Sequence, residues 1–216
     1  MSTCISKEVS CPVCGAVNKK QMWAGIDAQA NPELRLRILR EPLFDWKCPA
    51  CGYDAQLVYP CLYHDKQRRF FGCAAPAGCG GQKVIEDAAA KYPHTVSVKK
   101  QVVGSLCEMK EKILLFEAGL DDVPAEVVKF ALAELVEKKR GRKVRSGFFC
   151  AAGKDEDYIG FTFFLEGSDQ PITQGTRLSV YNEALKIVQS TGFREDGSFL
   201  RVDRALAERL LEEYQE

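Results

Sequence analysis

Two stretches, Cys11-Pro12-Val13-Cys14-Gly15 and Cys48-Pro49-Ala50-Cys51-Gly52, differ at one position only and decide how the chain reads. Two thiolates three positions apart can grip one metal ion from a tight turn. Proline after the first cysteine fixes φ and favours that turn. Glycine after the second accepts a positive φ that a side chain resists. Backbone N–H groups are then free to point at the sulfurs. Thirty-three residues separate Cys14 from Cys48, and two such knuckles complete a tetrahedral four-sulfur site, the usual structural coordination of zinc. Four thiolates leave no open position for water, so this metal is structural: it supplies folding free energy to a ribbon with little core. Iron in a rubredoxin-like site uses the same ligands. A thioredoxin-type redox pair sits at a strand-to-helix junction, whereas here each pair lies between short strand-like segments. The reading is one Zn2+ per chain on Cys11, Cys14, Cys48 and Cys51, with a rubredoxin-like iron or redox protein as an alternative.

The remaining composition narrows the class. The chain has 216 residues, room for one generous domain or two small ones. Hydrophobic residues make up 46% and charged residues 28%, ordinary for a soluble globular protein. Lys and Arg number 30, as do Asp and Glu. Zero net charge argues against a protein that coats nucleic acid or anionic lipid. No stretch approaches the ~18 apolar residues that span a bilayer, and Met1 to Ser10 lacks the apolar core of a signal peptide. The expected location is cytoplasmic, where ten cysteines point to metal before they point to disulfides.

Outward from the knuckles, Gln21 to Ala28, Leu43 to Lys47, Tyr53 to Tyr59 and Arg68 to Cys73 read as strands, with Trp23 and Ile26 as packing residues. Asn31 caps a short helix, Pro32 to Arg40, with Pro32 at its first position. Leu62-Tyr63-His64-Asp65 reads as a turn. Ala74 to Gly81 reads as a loop without phosphate-loop spacing, followed by a short helical turn, Glu86 to Tyr92, stopped by Pro93. Thr95 to Val103 alternates as a strand does. Ser105-Leu106-Cys107-Glu108 is a capping box opening a helix with Leu106, Met109, Ile113 and Phe116 on one face and a Glu108–Lys112 pair. Gly119 ends it. Asp121 or Asp122 caps a second helix with the stripe Val123, Val127, Val128, Ala131, Leu132 and Leu135. The two form a hairpin. Lys138 to Arg145 holds six basic residues in eight and is read as a domain boundary. Beyond it, Val144 to Ala151, Tyr158 to Glu166 and Gly197 to Val202 read as strands. Tyr181 to Ser190 reads as a helix, and Asp203 caps a last one, Arg204 to Tyr214.

The motifs resemble those of the CpXC family, whose name states this cysteine pattern. Besides the knuckles, the resemblance rests on Asn31-Pro32-Glu33-Leu34, Tyr59-Pro60, Leu62-Tyr63-His64-Asp65 and Glu111-Lys112-Ile113-Leu114-Leu115-Phe116 with Gly119-Leu120-Asp121-Asp122. It covers most of the chain from Cys11 to about Leu135. It implies a metal-binding domain and carries no catalytic residue across. The Cys73 and Cys79 region and the tail beyond Gly147 lie outside it.

Other groupings have plainer explanations. Cys61, His64, Cys73 and Cys79 have ligand spacing but lack the Pro and Gly that shape a knuckle, and free cysteines are commonly buried and inert. His64 with Asp65 suggests acid–base work, yet no nucleophile accompanies them; His94 is the one other histidine. Asp121-Asp122 resembles a metal doublet but suits a helix N-cap. Lys138, Lys139, Arg140, Arg142, Lys143 and Arg145 could contact phosphates, yet no aromatic is interleaved among them. The expected fold is α+β: a four-Cys zinc ribbon merged with a small antiparallel sheet, a helical hairpin and a small C-terminal α/β unit. The domains are read as 9–137 and 144–216. The expected function is a non-enzymatic zinc-binding module that contacts another protein, with a nucleic-acid-binding or transcription-associated ribbon as runner-up. Neither membrane nor small-molecule substrate is implied.

Overall fold

A computed structural model describes residues 1–92, 97–153 and 155–215. The chain divides into two compact units, Met1–Lys110 with Asp196–Leu200, and Glu111–Glu195 with Arg201–Glu216. The fold is α+β, as the sequence implies: among the described residues there are six helices and three sheets.

The first unit is built on a five-stranded sheet in the order β1-β2-β5-β6-β7. β1 (Thr3–Ser10) and β2 (Val17–Asp27) form an antiparallel hairpin whose turn is the first knuckle. At its far end β2 gains a second neighbour: Gly25, which also faces Thr3 of β1, and Ile26 and Asp27 pair in parallel with Leu62, Tyr63 and His64 of β5 (Cys61–Asp65). β6 (Phe70–Ala74) runs antiparallel to β5 and parallel to β7 (Lys99–Val103). α1 (Pro32–Leu39) buries Leu34 and Ile38. A separate short hairpin, β3 (Asp45–Lys47) with β4 (Asp54–Gln56), carries the second knuckle. α2 (Gly81–Lys91) completes the unit together with the first turn of α3 (Leu106–Glu117). Met109 of α3 lies on β6 at Gly72, where an added Cβ would sit 2.8 Å from the Met109 sulfur and push the thioether aside.

Several elements differ from expectation. Leu62-Tyr63-His64-Asp65 is not a turn but most of β5: Cys61, Tyr63 and Asp65 alternate into the interior, and the alternation outweighs the turn-like His-Asp pair. β1 has no strong apolar alternation and gains its conformation from pairing with β2. α2 begins five residues earlier than the expected turn, extended by a Gln82–Glu86 side-chain bond of 3.0 Å. Asn31 stands at the N-cap of α1, but its amide donates to Glu33 at 2.8 Å and does not cap the backbone. Pro93, His94 and Thr95 lie outside the described residues. The capping box is in place: Ser105 Oγ accepts from Glu108 N at 3.1 Å, and Glu108 accepts from Gly104 N at 2.8 Å.

The second unit sets a three-stranded antiparallel sheet, β10-β9-β8, against helices. Its strands are β8 (Val144–Gly153), β9 (Tyr158–Leu165) and β10 (Ile172–Arg177), the last without a signal in the sequence reading. Phe149, Ile159, Phe161 and Phe163 supply the sheet's share of the core. α4 (Asp122–Arg140) contacts α5 (Leu178–Ser190), α6 (Arg204–Gln215) and β8. Its buried stripe keeps Val123, Val127, Val128 and Leu132 but then turns to Ala133 and Val136, leaving Ala131 and Leu135 exposed. Asp121 caps α4 by accepting from Val123 N at 3.1 Å. α3 and α4 form the expected hairpin, with Gly119 at φ +70° between them. The Gly197–Val202 segment is not a strand; it makes a single bridge from Leu200 to Gln101 within the first unit. The basic run at 138–145 lies inside the second unit, where it ends α4 and opens β8. No helix among the described residues is long and apolar enough to cross a membrane.

Candidate metal centre

The two knuckles have the same internal wiring. In the first, Gly15 N donates to Cys11 O at 2.9 Å and Cys11 N donates to Ala16 O at 2.9 Å. In the second, Gly52 N donates to Cys48 O at 2.9 Å and Cys48 N to Tyr53 O at 2.8 Å. Gly15 and Gly52 hold φ of +71° and +76°, which closes each turn at no steric penalty. The local sequence thus folds twice into one shape, each time at the tip of an antiparallel hairpin.

The tips meet. Cys11 Sγ lies 3.6 Å from Cys51 Sγ, and Cys14 Sγ lies 3.7 Å from Cys48 Sγ. All four sulfurs fall within 4.8 Å of one another. A tetrahedron with metal–sulfur bonds of about 2.3 Å has edges of about 3.8 Å, so the set is spaced as ligands of one ion. Both close pairs join one hairpin to the other. The first cysteine of each knuckle, Cys11 and Cys48, is buried, while Cys14 and Cys51 face solvent. Beneath them Trp46 packs against Cys11 and Cys48, with Val9, Ala55 and Leu57 around it. Trp46 had a signal in the sequence, as an aromatic two positions before a knuckle, but the expected packing tryptophan was Trp23, which is only half-buried.

The electrostatics favour a thiolate at this point. Burial opposes ionisation of Cys11, but the N–H groups of Cys14 and Val13 and the neighbouring thiols overcome it and hold Cys11 down to about 6. At Cys51 the Tyr53 N–H favours the thiolate, yet burial and the crowd of Cys14, Cys11 and Cys48 push it up to about 12. Four thiolates cannot coexist so close without a cation between them. The cluster is therefore one that could hold a metal ion, with all four positions filled by sulfur.

Of the other groupings, Asp121 and Asp122 gather with Glu195, their ligand atoms within 4.8 Å of one another; the rest do not assemble into sites. In the β5–β6 register Cys61 stands opposite Ala74, and Leu62 opposite Cys73, so the two thiols leave opposite faces of the sheet. Cys79 donates to Val58 O at 3.6 Å. Burial pushes Cys61 up to about 12 and Cys73 to about 11, which makes both inert. His64 and Asp65 likewise point to opposite faces: Asp65 pairs with Arg68 at 2.9 Å, and His64 stacks on Phe71 with centroids 5.2 Å apart. Burial holds the His64 imidazole below its usual value, against the pull of Asp27. Asp122 pairs with Lys112 at 2.6 Å, both fully buried, so Lys112 does not pair with Glu108. Asp121, Asp122 and Glu195 lie close together, with Asp121 serving as the helix cap. In the basic run Lys143 is bound to Glu137 at 3.0 Å, and of the two aromatics that follow it Phe148 is half-buried and Phe149 buried.

No curated protein and no solved structure matches the chain. The model of the CpXC protein family matches residues 9–129, more than half of the 216. That span opens two residues before Cys11, contains both knuckles, β2 and the whole second hairpin, and runs on into α4. The chain, with its four sulfurs brought together from two such motifs, belongs to the CpXC family.

Proposed function

We propose that the chain is a zinc-binding protein of non-enzymatic kind, in which one zinc ion clamps the two hairpin tips and so presents them to a protein partner. The observation that carries the reading is the closed four-sulfur set at the meeting of two independent hairpins. Without an ion, this junction rests on one tryptophan and a few small apolar side chains, too little to hold mutually repelling thiolates. With no position left for water or substrate, the metal acts on shape and not on chemistry. The contact role is supported by what the tips display: Val13 is 66% exposed, Val17 57% and Tyr53 38%, all within a few residues of the sulfurs. Large apolar groups kept in solvent at the end of a rigid ribbon suit a protein surface better than a polyanion. The runner-up, nucleic-acid binding through the basic run, has less support, since the chain carries no net charge and Glu137 already holds Lys143.

Metal analysis of the purified chain is expected to give one zinc per chain, and Cys48→Ser to lower that content sharply. Bound iron with thiolate-to-metal absorption in the visible would replace zinc by the rubredoxin-like alternative. Substitution of Val13 and Tyr53 by Asp is expected to abolish capture of a specific protein partner while leaving zinc content intact. Submicromolar oligonucleotide binding at physiological salt, lost on replacing Arg140, Arg142 and Lys143 by Ala, would favour the runner-up.

A further inference from the structure

The first unit holds a half-open pocket of about 250 Å³. Its walls include Ile38, Phe44, Leu57, Tyr59, Tyr63 and Met109. None of the side chains lining it carries a charge. Water against such largely apolar walls finds few partners, and a closed cavity of roughly 150 Å³ lined by Leu, Ile and Phe takes up benzene instead. The present cavity is larger by more than half, which moves the fitting molecule from one ring to about two.

Its walls also set the chemistry. Phe44 and Tyr59 stand as a tilted pair with centroids 5.1 Å apart, and Tyr63 adds a third ring. Tilted and offset contacts are the arrangement that aromatic rings prefer. The Met109 thioether and the Cys61 thiol supply sulfur, which packs favourably on ring edges and, in methionine, adapts to the shape it meets. A charged group would give up hydration against these walls with no opposite charge in return. We propose that this cavity is a binding site for a neutral aromatic molecule of about two fused rings. The proposal stands apart from the metal centre and does not depend on which ion, if any, the sulfurs hold.

The three methionines make the test direct, because each lines a different hollow: Met109 this cavity, Met22 and Met1 two others. The intact chain, labelled with carbon-13 at the methionine methyls, is titrated with naphthalene and with indole. The expected result is a saturable ring-current shift confined to the Met109 methyl. Naphthalene-2-sulfonate, of the same shape but charged, binds weaker by about tenfold or more. Ala74 lines the cavity, and Ala74→Leu fills part of it; naphthalene affinity then falls by about an order of magnitude while thermal stability holds or rises. If that variant does not fold, the wild-type Met109 shift still decides. No saturable Met109 shift up to the solubility limit, shifts at Met22 or Met1 instead, equal binding of the sulfonate, or full affinity in folded Ala74→Leu would each overturn the proposal.

Discussion

Asp27 ends β2 with its carboxylate turned back on the chain. One oxygen accepts from the backbone N–H groups of Gln29 at 3.1 Å and Ala30 at 3.0 Å, and the other receives the Met1 amine at 3.0 Å. This single side chain fixes the exit from the strand and the approach to α1, a task that the sequence reading gave to Asn31. The Ala30 N–H above all, helped by the Met1 amine, holds Asp27 down to about 2 from an ordinary 3.8. The folded state therefore binds a proton there less readily than the unfolded state does. Its stabilising effect is complete above about pH 4 and is lost as pH falls through 2. Asp27→Asn is expected to lower stability at pH 7 by about 1–2 kcal/mol. The gap from wild type should close as pH falls from 4 to 2, as followed by urea unfolding at each pH. A gap that stays constant over that range would mean that the carboxylate's charge contributes nothing. The knuckle cysteines were legible for the opposite reason: their function lies in a local pattern of Cys, Pro and Gly, whereas the role of Asp27 lies in which N–H groups the fold brings to it.

At the scale of the element, α4 and the end of α3 bury charge. Lys129 contacts Glu111 at 3.0 Å and Glu126 at 2.7 Å, and Glu111 also accepts from Phe149 N at 2.7 Å. Burial alone would drive Lys129 towards neutrality, but the two carboxylates reverse this and raise its pKa. Burial works the other way on Glu126 and raises it. Lys129→Met would leave Glu111 and Glu126 buried without the ammonium they share, and is expected to cost about 3–5 kcal/mol. Adding Glu111→Gln and Glu126→Gln should recover part of this loss, because the repulsion is then gone. Urea midpoints of the single and triple variants measure both; a single variant as stable as wild type would show that the network is not needed. The sequence reading paired Lys112 with Glu108 along α3 and had no role for Lys129. Charged residues at helical spacing read as surface, and only the partner brought from another turn or strand reveals them as core. The same blindness hid β5, whose inward Asp65 and half-buried His64 resemble turn residues when read without their neighbours.

Across the whole molecule, the element types and their order were largely readable, because strong helices carry their own caps and stripes. Pairing was not readable: β1 and β10 are defined by the strands beside them, and the parallel contact between β2 and β5 joins residues more than thirty positions apart. The division into two compact units gives the metal centre a bounded reach. Stripping the ion with a strong chelator is expected to remove hydrogen-exchange protection from β1, the first half of β2, β3 and β4. Protection in β9 and α5 of the second unit should persist. Loss of protection across both units on chelation would show that the metal governs the whole chain. β2 is the element through which the ribbon can speak to the larger sheet. It runs unbroken from Val17, beside the first knuckle, to Asp27, a length of about 36 Å. A pull at the knuckle directed along this strand loads its hydrogen bonds to β1 and β5 sideways and together, the geometry of shear, and does not unzip them one at a time. The ribbon is thus a lever with a stiff shaft: a partner that tugs on the sulfur end along the strand meets the strength of the sheet, while one that pries it sideways meets only the short hairpin.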